Sequence, residues 1–144
     1  WTGLTSYAHP ISCAAAVAAI DVYETDGVIE HSASMGEVLE QGLGHLAAKH
    51  EVIGDVRNLG LFGTIEFVMD RKTKQPRAPY PSSHDPTGFL QRLRHELQRR
   101  RIHISQKWTH LFIAPPLCIQ SHDLEYGLAQ IDSAIENALK EGAA

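Results

Sequence analysis

The clearest pattern in the chain is a stripe of apolar residues that recurs every three or four positions in its first third. Val28, Met35, Leu39, Leu43 and Leu46 belong to this stripe, and glutamate and glutamine residues fill positions between them. A stripe with this period predicts an amphipathic helix whose apolar side faces a core. The Asp-Gly pair before it predicts a turn, because glycine adopts positive φ without steric cost.

The segment that precedes this helix is apolar on every side. Residues 11–20 read I-S-C-A-A-A-V-A-A-I, and acidic side chains return only at Asp21 and Glu24. Pro10 suits the first turn of a helix, where its missing N–H costs no hydrogen bond. A helix without a polar face is buried all round. The pattern therefore predicts a helix threaded between other elements, with more protein around it than one thin layer.

Short apolar and β-branched runs in the rest of the chain predict strands in two pairs. These runs are residues 52–57, 61–68, 102–105 and 111–113. Asn58, Leu59 and Gly60 predict the turn of the first pair, and residues 106–110 predict the turn of the second. Between the pairs, residues 70–86 form a polar, proline-rich segment that predicts a long surface loop.

Two further helices complete the pattern. Asp85 predicts the N-cap of the first, with Pro86 in its first turn, and Ser121 predicts the cap of the second. The predicted order of elements is α-α-β-β-α-β-β-α. Strand pairs that alternate with helices predict an antiparallel or mixed sheet covered on one face, which is an α+β fold.

Composition narrows the classes of function. The chain has 144 residues, of which 43% are hydrophobic and 21% are charged, as in a globular domain. Its net charge of −4 gives no electrostatic case for nucleic acid or an anionic membrane. No apolar run reaches the roughly 18–20 residues that span a bilayer. Cys13 and Cys118 are far apart, so we expect no disulfide framework and a reducing, cytoplasmic setting.

The residues alone reveal no complete catalytic set. The sequence contains no nucleophile elbow, phosphate loop, paired carboxylates or metal-ligand spacing, and no metal site is expected. A lysine that forms a Schiff base is desolvated. Lys107, which has an aromatic neighbour, is the one lysine of interest; the others, at helix ends or in polar loops, are Lys49, Lys72, Lys74 and Lys140.

A non-enzymatic interaction module is the alternative hypothesis. Arg99, Arg100 and Arg101 form a basic run, and the 70–86 loop carries further basic residues. Such a patch could bind a protein partner, or nucleic-acid phosphates with release of counterions and a strong dependence on salt. At the last turn of a helix the same arginines also complement the helix dipole.

Four short motifs stand in order along the chain. Residues 5–10 and 13–16 read T-S-Y-A-H-P and C-A-A-A, residues 54–61 read G-D-V-R-N-L-G-L, residues 66–74 read E-F-V-M-D-R-K-T-K, and residues 114–117 read A-P-P-L. Together they resemble the series T-Y-x-G-H-P…C-A-A-A, G-D-V-R-G-x-G-L, E-L-V-x-D-R-x-T-K and A-P-P-L of class III (subgroup III) pyridoxal-phosphate-dependent aminotransferases.

This resemblance implies the small C-terminal domain of the type I pyridoxal-phosphate transferase fold, in a homodimer with active sites at the subunit interface. The implied cofactor is pyridoxal 5′-phosphate, and the implied substrates are an amino donor and a 2-oxo acid such as pyruvate. The family's catalytic lysine lies upstream of the first motif, so no catalytic residue is expected in this chain. Thr5 matches the threonine that reaches the phosphate of the neighbouring subunit's cofactor; without the resemblance it also suits an ST-turn.

Some positions depart from the family's pattern. Ser6 and Ala8 stand where tyrosine and glycine are usual. Ser105 and Phe112 occupy positions near which some members carry an arginine for the acidic group of the substrate.

Lys107 and Trp108 resemble an Arg-Trp pair of the branch that acts on taurine or β-alanine with pyruvate. We therefore expect Lys107 and Trp108 to bind the substrate, although lysine lacks the bidentate fork of arginine. An ordinary exposed turn is the alternative interpretation of Lys107.

The chain starts at Trp1 rather than at methionine, and we expect it to be the C-terminal part of a longer enzyme, inactive by itself. Residues 1–25 are expected to form the end of the large domain and a connecting helix. Residues 26–144 are expected to form the small domain.

Overall fold

The computed structural model describes residues 8–82 and 84–141, which form four helices and an antiparallel sheet. The helices are α1 (Pro10–Thr25), α2 (Val28–Lys49), α3 (Phe89–Arg99) and α4 (Ser121–Lys140). The strands are β1 (Ile53–Leu59), β2 (Phe62–Asp70), β3 (Gln75–Pro76), β4 (Ser105–Lys107) and β5 (His110–Ile113). The predicted order of elements is confirmed, with the short strand β3 added inside the predicted loop.

The sheet has the strand order β1-β2-β5-β4, and β3 pairs with the far end of β2. Helix α2 packs on β1 and β2, while α4 packs against α2 and α3. Side chains alternate along β2, so Ile65 and Phe67 are fully buried between sheet and helices. Leu39 of α2 and Ile135 of α4 meet them in one hydrophobic core. The expectation of an α+β layer with one covered face is confirmed.

The turn between β1 and β2 lies against the middle of α2. A Cβ on Gly36 would stand 2.7 Å from the Cα of Gly60, so the two backbones touch. The Asn58 side-chain amide donates hydrogen bonds to the carbonyls of both glycines at 3.0 Å. Gly60 itself has a φ of +53°, which favours glycine. The motif at residues 54–61 therefore allows the β1–β2 turn to pack closely against α2.

Arg71 fastens the end of α2 to the start of β1. Its guanidinium donates to the carbonyls of Ala47 and His50, and its Nε donates to the Ile53 carbonyl at 2.7 Å. The last carbonyls of a helix have no partner within the helix, and Arg71 supplies one. Next to it, the Asp70 carboxylate accepts the Thr73 N–H at 2.7 Å and closes a turn.

Several predicted boundaries are wrong by a few residues. The first turn lies at residues 60–61 rather than 58–60, because Asn58 and Leu59 still pair with β2. The strand predicted at residues 102–105 begins only at Ser105, and residues 108–109 form its turn to β5. Alternating apolar residues predicted pairing at Ile102, but its N–H closes the end of α3 instead, on the Leu97 carbonyl.

Both predicted helix caps are also wrong. Helix α3 begins at Phe89 after Gly88, whose φ of +68° sets the turn into the helix. Asp85 nevertheless contributes from outside the helix, because its carboxylate accepts the Leu90 N–H at 2.9 Å. Ser121 is the first residue of α4 rather than its cap, and its hydroxyl donates to Glu125.

Helix α1 is present as predicted but is not buried. It packs against α2, and every one of its residues is exposed. Apolar side chains such as Ile11, Val17 and Ile20 face solvent, because the described chain places no second layer on this helix. Within residues 8–82 and 84–141, no helix is long and apolar enough to cross a membrane.

Candidate functional site

The predicted substrate-binding pair lies at the tight turn between β4 and β5. Lys107 pairs with His110, so only Trp108 and Thr109 connect the two strands. Trp108 has a φ of +52°, a left-handed conformation in which glycine is unstrained and other residues are rare. A bulky residue held in this conformation is a feature typical of functional sites.

The Trp108 side chain is held by three contacts. Its indole Nε1 donates to the Pro81 carbonyl at 3.2 Å, and its ring forms a T-shaped pair with the Tyr80 ring, with centroids 4.8 Å apart. The Lys107 ammonium lies 4.7 Å from the centre of the indole ring. This distance permits a cation–π attraction. The structure therefore brings Lys107 and Trp108 into direct contact, and adds Tyr80 and Pro81, which belong to none of the motifs in the sequence.

Thr109 ties the same turn to the centre of the sheet. It is only 3% exposed, and its hydroxyl donates to the Phe67 carbonyl. The Phe67 N–H in turn donates to the Thr109 carbonyl at 2.9 Å. The Arg77 N–H donates to the Thr109 hydroxyl at 3.3 Å, which adds the loop after β3 to this junction. Hydrogen bonds thus hold the β4–β5 turn both to β2 and to the loop after β3.

Arg77 and Asp85 stabilise the loop behind the turn. The Arg77 guanidinium stacks on Phe89 at 4.5 Å and donates to the Thr87 hydroxyl at 2.7 Å. Partial burial by itself would raise the pKa of the Asp85 carboxyl group. Hydrogen bonds from Thr87 and Leu90 and the positive charge of Arg77 have a larger, opposite effect, so the pKa of Asp85 lies below its usual range. Arg77 and the buried Ala78 thus attach the segment predicted as a long surface loop to the core, while most of its other described residues are exposed.

The uncovered face of the sheet carries charged and aromatic residues. Phe62, Glu66 and their neighbours alternate along β2 with the buried side chains. Phe112 stacks on Phe62 and on His110, with centroids 6.3 and 6.0 Å apart. Arg57 and His110 lie 3.7 and 3.9 Å from the Glu66 carboxylate. The period-two alternation in β2 is the signal by which this face could have been found in the sequence.

A cleft of about 500 Å³ opens at one end of the sheet, beside α4. Ser105 and Phe112, the positions near which some members carry an arginine, face each other in the β4–β5 pair and both line it. Most of the lining is apolar, and Asp123 is its one carboxylate. Lys107 follows Ser105 by two residues and so shares its side of the strand, but it is not part of the cleft lining.

A lysine that forms a Schiff base needs an amine shielded from water. All five lysines are described and exposed. Hydrogen bonds to Asp132 and Glu136 raise the pKa of Lys49, which is the opposite of what a reactive amine needs. Among the described residues, no group of three or more histidine, cysteine, aspartate or glutamate side chains could hold a metal ion.

The basic run at the end of α3 is largely committed to contacts within the fold. Arg99 and Arg100 both bind the buried Glu96 carboxylate, at 3.0 and 3.3 Å. Arg100 also donates to Gln130 of α4, and Asn137 donates to Glu96. Binding of a partner through these arginines stays a prediction without a structural observation in its favour.

Thr5, the residue expected to contact the cofactor phosphate, lies outside the described residues. The same holds for Ser6. Their positions in the fold therefore stay predictions.

Comparison with known proteins matches residues 2–135 to the family model described as aminotransferase class-III. Taurine–pyruvate aminotransferase of Bilophila wadsworthia is 51% identical over 65 residues, which cover 45% of this chain and 14% of that protein. Isoleucine 2-epimerase of Lentilactobacillus buchneri is 32% identical over 136 residues, which cover 92% of this chain and 28% of that protein. Ethanolamine-phosphate phospho-lyase homolog 1 of Caenorhabditis elegans is 46% identical over 68 residues, 47% of this chain and 15% of that protein.

Solved structures match the fold over most of its length. Taurine:2-oxoglutarate aminotransferase from Bifidobacterium kashiwanohense, in complex with PLP and glutamate, superposes with a TM-score of 0.85 and 29% identity. The match covers 94% of this chain and 30% of that protein. The chain thus spans less than a third of the length of these relatives.

Proposed function

The chain belongs to the class-III aminotransferase family, and from this premise we propose that it is the small-domain part of an enzyme that moves an amino group from an amine or ω-amino acid to a 2-oxo acid such as pyruvate. The observation that carries the proposal is the family match over residues 2–135. The superposition with a taurine aminotransferase over 94% of the chain supports it. Other relatives are named as an epimerase and a phospho-lyase, so an experiment must distinguish amino transfer from these two reactions.

Pyridoxal 5′-phosphate is the cofactor of this chemistry, for which it supplies an electron sink when bound. The described residues do not by themselves fit the covalent attachment of this group. Every lysine is exposed, and Lys49 is held in ion pairs with Asp132 and Glu136 at 2.6 and 2.7 Å. We therefore place the catalytic lysine outside this chain, and we expect the 144-residue chain to be inactive alone.

Thr5 is the cofactor contact that we propose within the chain. Its hydroxyl would donate to the phosphate of the neighbouring subunit's cofactor in a homodimer. The support is its position in the motif at residues 5–10. A hydrogen bond to a charged group contributes about 1.5–3 kcal/mol, so Thr5→Ala should weaken cofactor binding about ten- to hundredfold. Thr5→Ser, which keeps the hydroxyl, should bind nearly as well.

Lys107 and Trp108 are the proposed site for the acidic group of the amino donor, a carboxylate or a sulfonate. The support is that Lys107 is an exposed cation with its ammonium 4.7 Å from the Trp108 ring, at a strained turn that the core holds in place. An ammonium binds either anion as a point charge. The 51% identity to a taurine–pyruvate aminotransferase, over 65 residues that cover 45% of this chain, agrees with this class of substrate.

The proposed domain arrangement assigns residues 1–25 to the end of the large domain and the connecting helix, and residues 26–144 to the small domain. Support comes from α1, which packs on α2 but leaves its apolar side chains exposed, as a connection to further protein would. A cytoplasmic location is also a proposal, and the free, exposed Cys13 and Cys118 agree with a reducing compartment.

A chimera tests the function directly. The matching C-terminal segment of the Bilophila wadsworthia taurine–pyruvate aminotransferase is replaced by this chain, and alanine formed from pyruvate and taurine or β-alanine is measured. We expect turnover that depends on pyridoxal 5′-phosphate. Lys107→Ala should raise the KM for taurine about tenfold, because a charged hydrogen bond is lost, whereas Lys72→Ala in the exposed loop should not.

A chimera that folds as a dimer and binds the cofactor but forms no alanine would contradict the proposal. Epimerisation of isoleucine at C2 or release of phosphate from ethanolamine phosphate by the same protein would assign it to another branch of the family. If the chimera does not fold, binding of taurine by the 144-residue chain itself, and its loss in Lys107→Ala, is the second measurement.

A further inference from the structure

We propose that Tyr80 is a positioning residue that holds Trp108, and through it Lys107, in the orientation of the acidic-group site. This inference rests on the proposed function of Lys107 and Trp108. It assigns a role to a residue from the loop after β3, which is separated from the β4–β5 turn by α3. Tyr80 acts through Trp108 and is not itself a catalytic residue.

The need for positioning arises at Trp108. The residue occupies the first place of a two-residue turn with a φ of +52°. Glycine adopts this conformation freely, and an exposed indole there would be free to rotate. Contacts to the side chain therefore decide where the indole lies. The structure shows two from one segment, the Tyr80 ring at 4.8 Å and the Pro81 carbonyl at 3.2 Å.

The segment that carries Tyr80 is anchored well enough to position another residue. Ala78 is buried in the core, and β3, which ends two residues before it, pairs with β2. Arg77 is bound to Thr109 through its backbone and stacks on Phe89 through its side chain. Tyr80 itself is 77% exposed, so its ring is not part of the core. Its contact with Trp108 is therefore separable from the stability of the fold.

The geometry also couples Tyr80 to Lys107. The two rings stand at 75° to each other, an edge-to-face arrangement that fixes the plane of the indole. The Lys107 ammonium lies 4.7 Å from the centre of that same ring. An indole held in one plane thus keeps the Lys107 ammonium in one defined position. An indole free to rotate would leave the ammonium to move with it.

Tryptophan fluorescence of the full 144-residue chain tests the positioning step without a ligand. Trp1 and Trp108 are the two tryptophans, so Trp1→Phe leaves Trp108 as the sole reporter. In this background Tyr80→Ala should shift the Trp108 emission to longer wavelength and increase its quenching by acrylamide. Tyr80→Phe, which keeps the ring, should leave both unchanged. Equal quenching in Tyr80→Ala and its parent would overturn the inference.

Titration with taurine at constant ionic strength then tests the consequence for binding. Edge-to-face pairs contribute enough to change affinity about two- to tenfold, so Tyr80→Ala should raise the Kd for taurine by that factor and Tyr80→Phe should not. Circular dichroism of each variant confirms that the fold is retained. Unchanged affinity in Tyr80→Ala, with binding still lost in Lys107→Ala, would overturn the positioning role and leave the proposed site intact.

Failure of the proposed function gives a different result. If Lys107→Ala binds taurine as well as its parent does, the acidic-group site is refuted. Where the 144-residue chain binds no taurine by itself, the chimera decides, and an unchanged KM for taurine in its Lys107→Ala variant refutes the site. The role of Tyr80 at that site falls with it, whereas the quenching result still decides whether Tyr80 holds the indole. Ethanolamine, which has the amine of taurine but no acidic group, is the control ligand and should not bind in either case.

Discussion

At the scale of single residues, the buried carboxylate of Glu96 shows how a charge is tolerated inside this fold. Glu96 is 3% exposed, and Arg99, Arg100 and Asn137 all donate to it. The Asn137 hydrogen bond makes the largest contribution to lowering the pKa of Glu96, and the two arginine charges add to it against the opposing effect of burial. The basic run that suggested a binding patch thus stabilises a buried acid between α3 and α4.

Glu96→Gln should lower the free energy of unfolding by about 1–3 kcal/mol at neutral pH, because a charged hydrogen-bond acceptor is lost. A carboxyl group whose pKa is lower in the folded than in the unfolded state stabilises the fold fully at pH values above its ordinary pKa of 4.5. This stabilisation is lost as the pH falls through the lower pKa of the folded state. The difference from the parent should therefore shrink below about pH 4.5 in urea denaturation followed by circular dichroism.

Glu37→Gln, on the exposed side of α2, is the matched control and should change stability by less than about 0.5 kcal/mol. If Glu96→Gln lowered the free energy of unfolding equally at pH 7 and pH 3, the negative charge of Glu96 would not be the source of its stabilising effect.

At the scale of elements, the contact of α2 with the β1–β2 turn positions the sheet. Gly36 and Gly60 touch through their backbones, and Asn58 bridges them. On the helix alone, a glycine is a poor choice, because it costs about 1 kcal/mol relative to alanine. The tertiary contact explains why Gly36 is nevertheless present.

Gly36→Ala should destabilise the chain by about 1–3 kcal/mol, since the new methyl group would force backbones apart. Gly44→Ala in the same helix meets nothing within 4 Å and should stabilise by about 0.5–1 kcal/mol. The sign of the change in urea midpoint distinguishes the two variants. Stabilisation by both would mean that the helix and the turn do not touch in solution.

At the scale of the whole molecule, two surfaces are left uncovered by the residues that the structure describes. Helix α1 exposes its apolar side chains, and the outer face of the sheet exposes Leu59 and Phe62. Monomeric proteins rarely expose large contiguous apolar patches. Together with a length under a third of that of its relatives, these surfaces support the proposal that the chain functions within a larger protein.

Val17→Gln with Ile20→Gln on α1 should reduce self-association of the chain, measured by sedimentation velocity, because exposed apolar surface is removed. The free energy of unfolding should change by less than about 0.5 kcal/mol, since neither side chain is buried. Leu39→Ala, at a fully buried position, is the contrasting variant and should lose about 2–5 kcal/mol. A loss of that size in the α1 variant would mean that α1 packs into the core.

The sequence by itself determined the order of the helices and of the four main strands, the α+β class and the core side of α2. Each of these follows from local periodicity, because a residue's place on a helix or strand depends on its neighbours along the chain. The sequence also identified the family, because the motifs that indicate it are contiguous runs of residues. Thr5 and the Lys107–Trp108 pair were assigned from that likeness.

Only the tertiary structure decided what these residues meet. The hydrogen bonds that join Glu96 to Asn137 and Arg100 to Gln130, and the place of Tyr80 beside Trp108, are contacts between segments far apart in sequence. The exposure of α1 likewise depends on what packs against the helix and not on its own pattern. The start of β4 at Ser105 is decided by a more local contact, since the Ile102 N–H donates to the Leu97 carbonyl at the end of α3 instead of pairing with a strand. Local pattern fixes which way a side chain faces, but packing fixes its partner, and at the Lys107–Trp108 turn the partner is a loop residue 28 positions earlier.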